Sequence, residues 1–305
     1  MRYYVVDVFT DKLFSGNPAG VCLLSESAGG GLQESGRTGG DVVHENGRNG
    51  GGLHENERTG GGWPDGAVMQ AIARENNLSE TAFLIKRDGY YDLRWFTPEL
   101  EIDLCGHATM GSAYVIFEFA EREATELKFR TLSGELRVAR GCGGEMLMDL
   151  PAWRGAPAPV YGRLREAFGG AAINEVRKSN DILVVFENAD DVKNAAPDFA
   201  TLAAVKDEAG MPGDNFGVII TAPGDGYGCD FVSRYFAPNA GVNEDPVTGR
   251  AHCMLTPYWA GRLGKKRLTA RQISSRGGAL TCEDAGERVI IGGNVKLYLS
   301  GEIHI

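Results

Sequence analysis

The sequence predicts an α+β protein of two similar halves, each a curled sheet wrapped around one central helix. Three observations predict it. A long-range repeat runs through the chain, two segments are apolar on nearly every side, and runs rich in Val, Tyr, Phe and Ile flank each of them.

The opening "MRYYVVDVF" reads as a first strand. A helix over 64–76 ("PDGAVMQAIAREN") then leads to a strand over 80–86, and "KRDGYYD" turns into a strand over 90–96. The same order returns in the second half: a helix around 198–208, a strand over 216–221, the turn "PGDGYG" and a strand over 229–236. Phe96-Thr97-Pro98 matches Phe236-Ala237-Pro238, and Gly106-His107-Ala108 matches Gly249-Arg250-Ala251. "TLSGEL" and "SSRGGAL" supply equivalent turns further on.

Residues 107–119 are apolar almost all round, as a helix buried on every side must be. Residues 251–260 are similar, and Pro257 is expected to kink that helix or end its regular hydrogen bonding. One stretch stands apart. "QESGRTGG", "HENGRNGG" and "HENERTGG" recur within 27–62, a span of mostly glycine and polar residues with few side chains to offset the entropy of ordering. It reads as a surface insertion, and its His44 and His54 as solvent-exposed side chains rather than metal ligands.

At 305 residues the chain can bury a substantial core. A net charge of −10, with "GKKR" at 264–267 as the densest basic run, argues against a nucleic-acid or anionic-membrane surface. No segment has the length of a membrane span, and Asp7 interrupts the short apolar run at the start, so neither a membrane segment nor a signal peptide is expected. The six cysteines are scattered without a Cys-x-x-Cys pair, which suits reduced thiols and a cytoplasmic location.

Chemistry is expected where both central helices start. The first follows "EIDLCGH" and the second "GVNEDPVTGR". A helix start carries unpaired N–H groups and a positive dipole end suited to a carboxylate, and Gly106 and Gly249 would let a ligand approach the backbone. Ionisable candidates are Cys105, His107, Asp245 and Glu80. Glu80, in "ENNLSETAFL", falls on the strand face of Leu78, Ala82 and Leu84, where a packed interior is expected.

The motifs "NLSETAF", "DLCGHAT" and "EDPVTG", in this order and with the opening "VVDVFTDKLFSGNPAGV", resemble the PhzF-like isomerase/epimerase family over the whole chain outside 27–62. The resemblance implies a diaminopimelate-epimerase-like fold: two pseudo-symmetric domains, each a barrel-like, mostly antiparallel sheet around a helix, with the active site between them. The domains would be 1–147 and 148–295, with a C-terminal strand at 296–305 returning to the first. It implies Glu80, His107 and Asp245 as catalytic residues and substrate contacts at Gly106, Ala108, Gly249 and Arg250. A homodimer is implied too.

Glu80 would then face the cleft floor, partly desolvated and near Asp245, and be harder to ionise. One departure stands out: after Thr-Gly the family carries a serine, where this chain has Arg250. That cation is expected to clamp a substrate carboxylate, to pair with Asp245 or Glu80, or to fill the pocket.

The expected activity is a cofactor-independent isomerase or epimerase, in which Glu80 moves a proton on a small anionic carboxylic acid. No glycine run follows a strand and opens a helix as a dinucleotide loop requires, and no metal is expected. Two-thiol racemase chemistry lacks a second cysteine near Asp245-Pro246. A catalytically idle small-acid-binding or interaction protein of the same fold is the alternative.

Overall fold

The computed structural model describes residues 1–24, 62–213 and 216–305, so the repeats within 27–62, apart from Gly62, lie outside the described residues. The first half contains β1 (Arg2–Val8), β2 (Asn17–Leu24), α1 (Gly66–Asn76), β3 (Glu80–Lys86) and β4 (Tyr91–Phe96). It continues with β5 (Glu101–Ile102), α2 (Gly106–Phe119), β6 (Glu126–Thr131), β7 (Gly134–Arg140) and β8 (Met146–Pro151). The second half opens with β9 (Ala156–Ala158), α3 (Gly162–Ala167), β10 (Glu175–Lys178), β11 (Ile182–Val185) and α4 (Ala189–Asn194). Next come α5 (Phe199–Ala203), α6 (Val205–Ala209), β12 (Val218–Pro223), β13 (Phe231–Ala237) and β14 (Val242–Asp245). The chain closes with α7 (His252–Leu263), β15 (Arg267–Gln272), β16 (Gly278–Asp284), β17 (Arg288–Gly293) and β18 (Val295–Glu302).

The strand pairing repeats. β2 runs parallel to β3 and β4 parallel to β6, with antiparallel pairs between β3 and β4, β6 and β7, and β7 and β8. In the second half β11 runs parallel to β12 and β13 parallel to β15, with the corresponding pairs antiparallel. The outermost strands are exchanged: β18 pairs with β1 of the first half, and β9, which follows β8, pairs with β10. β8 and β17 pair across the junction. This is the α+β, diaminopimelate-epimerase-like architecture of two helix-centred, mostly antiparallel sheets.

Alternation in the strands aims one face at the helices. In β3, Ala82 and Leu84 are buried in the core that encloses α2, whereas Phe83 belongs to a smaller cluster under α1. Glu80 shares the α2-facing side, but Leu78 packs with the α1 cluster, because the alternation begins only at the first strand residue. From His107 to Phe117 only Tyr114 of α2 escapes burial. Its hydroxyls stay satisfied inside the helix: Thr109 Oγ1 donates to the Cys105 carbonyl at 2.6 Å and Ser112 Oγ to that of Ala108 at 2.7 Å. Both central helices share one continuous apolar core.

Two sequence expectations are revised and a third is met in part. The helix around 198–208 is two short ones, with Ala204 ending α5 and starting α6. α7 begins at His252 instead of Gly249, because residues 249–254 first form a tighter turn with i→i+3 bonds such as His252 N to Gly249 O at 3.0 Å. At Pro257 the regular hydrogen bonding is interrupted as expected, although α7 runs on past it. The Cys253 carbonyl, which a proline cannot satisfy, accepts the Trp153 N–H at 2.8 Å.

Candidate active site

Each site residue is placed by an element end. α1 stops at Asn77, whose left-handed φ of 48° turns the chain so that β3 begins at Glu80. The Glu80 carboxylate meets the second residue of α2, with Glu80 Oε2 3.0 Å from His107 Nε2. Asp245 ends β14 in the other half. Its Oδ2 accepts the Thr248 hydroxyl, and Gln272 fixes the same loop by donating to the Asp245 carbonyl at 2.7 Å and accepting the Thr248 N–H at 2.9 Å.

Asn17 joins the halves. This fully buried side chain, the first residue of β2, donates through Nδ2 to Asp245 Oδ1 at 2.8 Å and to the Val247 carbonyl at 2.9 Å. The same nitrogen lies 3.3 Å from His107 Nδ1, whose other neighbour is Cys105 Sγ at 3.5 Å. Glu80, His107, Asn17 and Asp245 thus lie side by side in one row across the junction. Nothing in the sequence reading singled out Asn17, because an Asn-Pro pair beside a strand reads as turn punctuation.

Gly106 at the start of α2 meets Gly249, which lies in the turn before α7 and not at its start. A Cβ on Gly106 would lie 4.0 Å from Gly249 Cα and 3.8 Å from Met148 Sδ, so the two glycine backbones face each other with little between them. Ala108, expected at the site, is fully buried in the core.

Burial dominates the electrostatics. It raises the Asp245 carboxyl to about 6, with Glu80 adding to the effect, while His107, Thr248 and Asn17 work against it. For His107 burial alone would favour the neutral ring, but Cys105 and Glu80 outweigh it and the imidazole holds its proton well above its ordinary range. The Cys105 thiol is pushed up by burial and by Glu80. Glu80, Cys105 and His107 present donor atoms within 4.8 Å of one another, a separation a cation could bridge. Such binding would have to displace the proton that burial and Glu80 hold on Cys105 and the one that Cys105 and Glu80 hold on His107. The set is better suited to moving protons.

Arg250 does not turn to Asp245 or Glu80. It pairs with buried Asp181, Nη2 to Oδ1 at 3.2 Å and Nε to Oδ2 at 3.3 Å, and its guanidinium lies 5.2 Å from the centre of the Trp153 ring. Asp181 also accepts the Gly217 N–H at 2.8 Å and a bond from Tyr235. The expected clamp is therefore engaged by the protein's own carboxylate.

Two helix-centred, mostly antiparallel sheets are the architecture of the diaminopimelate-epimerase-like isomerases and epimerases. The family model described as phenazine biosynthesis-like protein, PhzC-PhzF, matches residues 61–298. An uncharacterized isomerase of Pseudomonas aeruginosa is 44% identical over 100% of this chain and 99% of its own. A human phenazine biosynthesis-like domain-containing protein is 36% identical over 98% of each chain. The crystal structure of a PhzF-family protein from Enterococcus faecalis superposes with a TM-score of 0.82 at 40% identity, covering 100% of this chain and 99% of that one. A probable proline racemase from Agrobacterium radiobacter shares the fold at a TM-score of 0.59 and 10% identity, over 100% of this chain and 93% of that one. The chain belongs to the PhzC-PhzF family and is an isomerase of the PhzF-like isomerase/epimerase kind.

Proposed function

We propose that this isomerase is cofactor-independent and shifts a proton between carbons of a small carboxylic acid. One observation carries the reading: a Glu80–His107 pair at 3.0 Å shares the junction with Asp245, whose carboxyl burial pushes up to about 6 and whose Oδ1 accepts from the Asn17 amide that lies beside His107. Glu80 takes the proton as the C–H bond breaks, and the electron pair passes into the substrate's carboxylate or conjugated system. Protonated His107 steadies the Glu80 carboxylate, and Asp245, still partly protonated near neutral pH, donates a hydrogen bond to the developing anion. Glu80 then returns the proton to a different carbon or face, which restores the enzyme. The substrate carboxylate rests on the N–H groups at the start of α2 beside Gly106 and of the turn at Gly249 that leads into α7.

The idle-protein alternative rests on Arg250 and on the glycine-rich insertion; the pairing of Arg250 with Asp181 speaks against the first ground, and the insertion lies outside the described residues. The test is solvent-deuterium incorporation into a panel of small carboxylic acids, read by NMR with wild type and Glu80→Gln. Incorporation by wild type alone is expected. Binding of an acid by both proteins with no incorporation by either would sink the proposal.

A further inference from the structure

We infer that Arg276 is a positioning residue for the reaction: its turn, 273–277 between β15 and β16, holds Asn17 and Asp245 in contact across the junction. One end of the turn fixes the Asp245 loop. Gln272, the last residue of β15, bonds the Asp245 carbonyl and the Thr248 N–H, and Ser274 Oγ donates to the Pro246 carbonyl at 2.7 Å. Ser274 Oγ also accepts the Gly277 N–H at 3.1 Å, which closes the turn on itself.

The other end grips the residue before Asn17. Arg276 donates through Nε to the Gly16 carbonyl at 2.9 Å and through Nη2 to the Ser15 carbonyl at 3.3 Å. The Gly277 carbonyl accepts the Gly16 N–H at 2.7 Å. Gly16 is thus held at both its N–H and its carbonyl, and that carbonyl shares a rigid peptide plane with the Asn17 nitrogen. The loop leaves no slack there: Gly16 has a φ of 73°, and a Cβ on it would collide with the Val8 carbonyl oxygen.

Asp7 anchors the clip from the first half. Its Oδ1 accepts Arg276 Nη2 at 2.7 Å while its Oδ2 accepts the Phe14 N–H at 2.8 Å, and the side chain is buried. A guanidinium suits the task because its nitrogens serve a carboxylate and a carbonyl at fixed angles. Arg276 gives its bonds to Asp7 and to backbone carbonyls, so it acts through Asn17 and not on the substrate.

Kinetics and NMR of the Asp245 carboxyl carbon, assigned with Asp245→Asn, test this on the full chain. Asp7→Asn combined with Arg276→Met removes the clip without stranding a buried carboxylate or changing the net charge. In that variant kcat should fall roughly tenfold to a hundredfold with little change in KM, as expected of a misplaced group. Asp245 should titrate higher than in wild type, because the Asn17 donor that eases its ionisation is displaced. Glu80, His107 and Tyr235 also act on that carboxyl, and none of them is altered. Arg276→Lys keeps the cation beside Asp7 but loses the fork, so it should melt with wild type and show the same changes. Added to Asn17→Ala, Arg276→Lys should shift the Asp245 titration no further, since no amide is left to misplace. A wild-type titration of Asp245 in either folded variant, or a further shift on the Asn17→Ala background, would overturn the inference. The effect on turnover rests on the proposed function, whereas the titration of Asp245 does not. A wild type that incorporates no deuterium would therefore sink that function and leave this inference to the NMR.

Discussion

Asn17 Nδ2 lies 2.8 Å from Asp245 Oδ1 and 3.3 Å from His107 Nδ1, so one buried amide spans the two halves of the site. An amide nitrogen has two hydrogens, and the shorter contacts to Asp245 and the Val247 carbonyl take both. His107 Nδ1 is left to keep a proton of its own, consistent with the raised titration of that ring.

Replacing Asn17 with alanine removes the donor that eases ionisation of Asp245. The Asp245 carboxyl should move further above 6, and the fold should lose about 1–3 kcal/mol from the unsatisfied acceptors. Denaturant melts and a pH–rate profile check both. An unchanged profile would show that Asn17 does not govern Asp245.

Glu80→Gln keeps the shape of the side chain but removes the base. Turnover should fall by roughly 10²–10⁴-fold with little change in melting temperature. His107 should also titrate lower once its anionic partner is gone, which NMR of the imidazole would detect. Activity near that of wild type would exclude Glu80 as the base.

Two buried groups should give stability opposing slopes in mild acid. Asp245 is raised from 3.8 to about 6, so across that window the native protein holds a proton the unfolded chain has released, and stability falls as pH rises. His252, whose Nδ1 contacts the Thr248 carbonyl at 2.9 Å, is lowered by burial from 6.5 to about 4, so stability falls there as pH drops. Relative to wild type, Asp245→Asn should make stability rise more steeply with pH between about 4 and 6. His252→Gln should tilt it the other way. Urea melts at several pH values measure both slopes, and parallel curves for all three proteins would refute the assignment.

Arg250→Ser, which installs the family residue, should destabilise the fold because Asp181 would be left buried without its cation. The cost is on the order of 3–5 kcal/mol, and adding Asp181→Asn should recover most of it. If the single variant melts with wild type, the Arg250–Asp181 pair has no structural role.

Much of the architecture was legible in local pattern. Two apolar helices and a repeated helix–strand–turn–strand order require two helix-centred sheets, because such helices must be covered on every side. The family resemblance singled out Glu80, His107 and Asp245, and folding brings these three side chains to one junction. The break at Ala204 and the continuous α7 were not legible. The second depends on Trp153, about a hundred residues away in sequence, which supplies the N–H that Pro257 lacks.

By itself the sequence determined what must be buried and where the chain turns, because periodicity and helix starts are local properties of the chain. Tertiary structure decided which charges meet. Only folding brings Asn17 from the first strand to Asp245 and gives Arg250 to Asp181 rather than to the active site. Burial at the junction then sets the protonation of Asp245 and His107, since the energy of a charge depends on its surroundings in space and not on its neighbours along the chain.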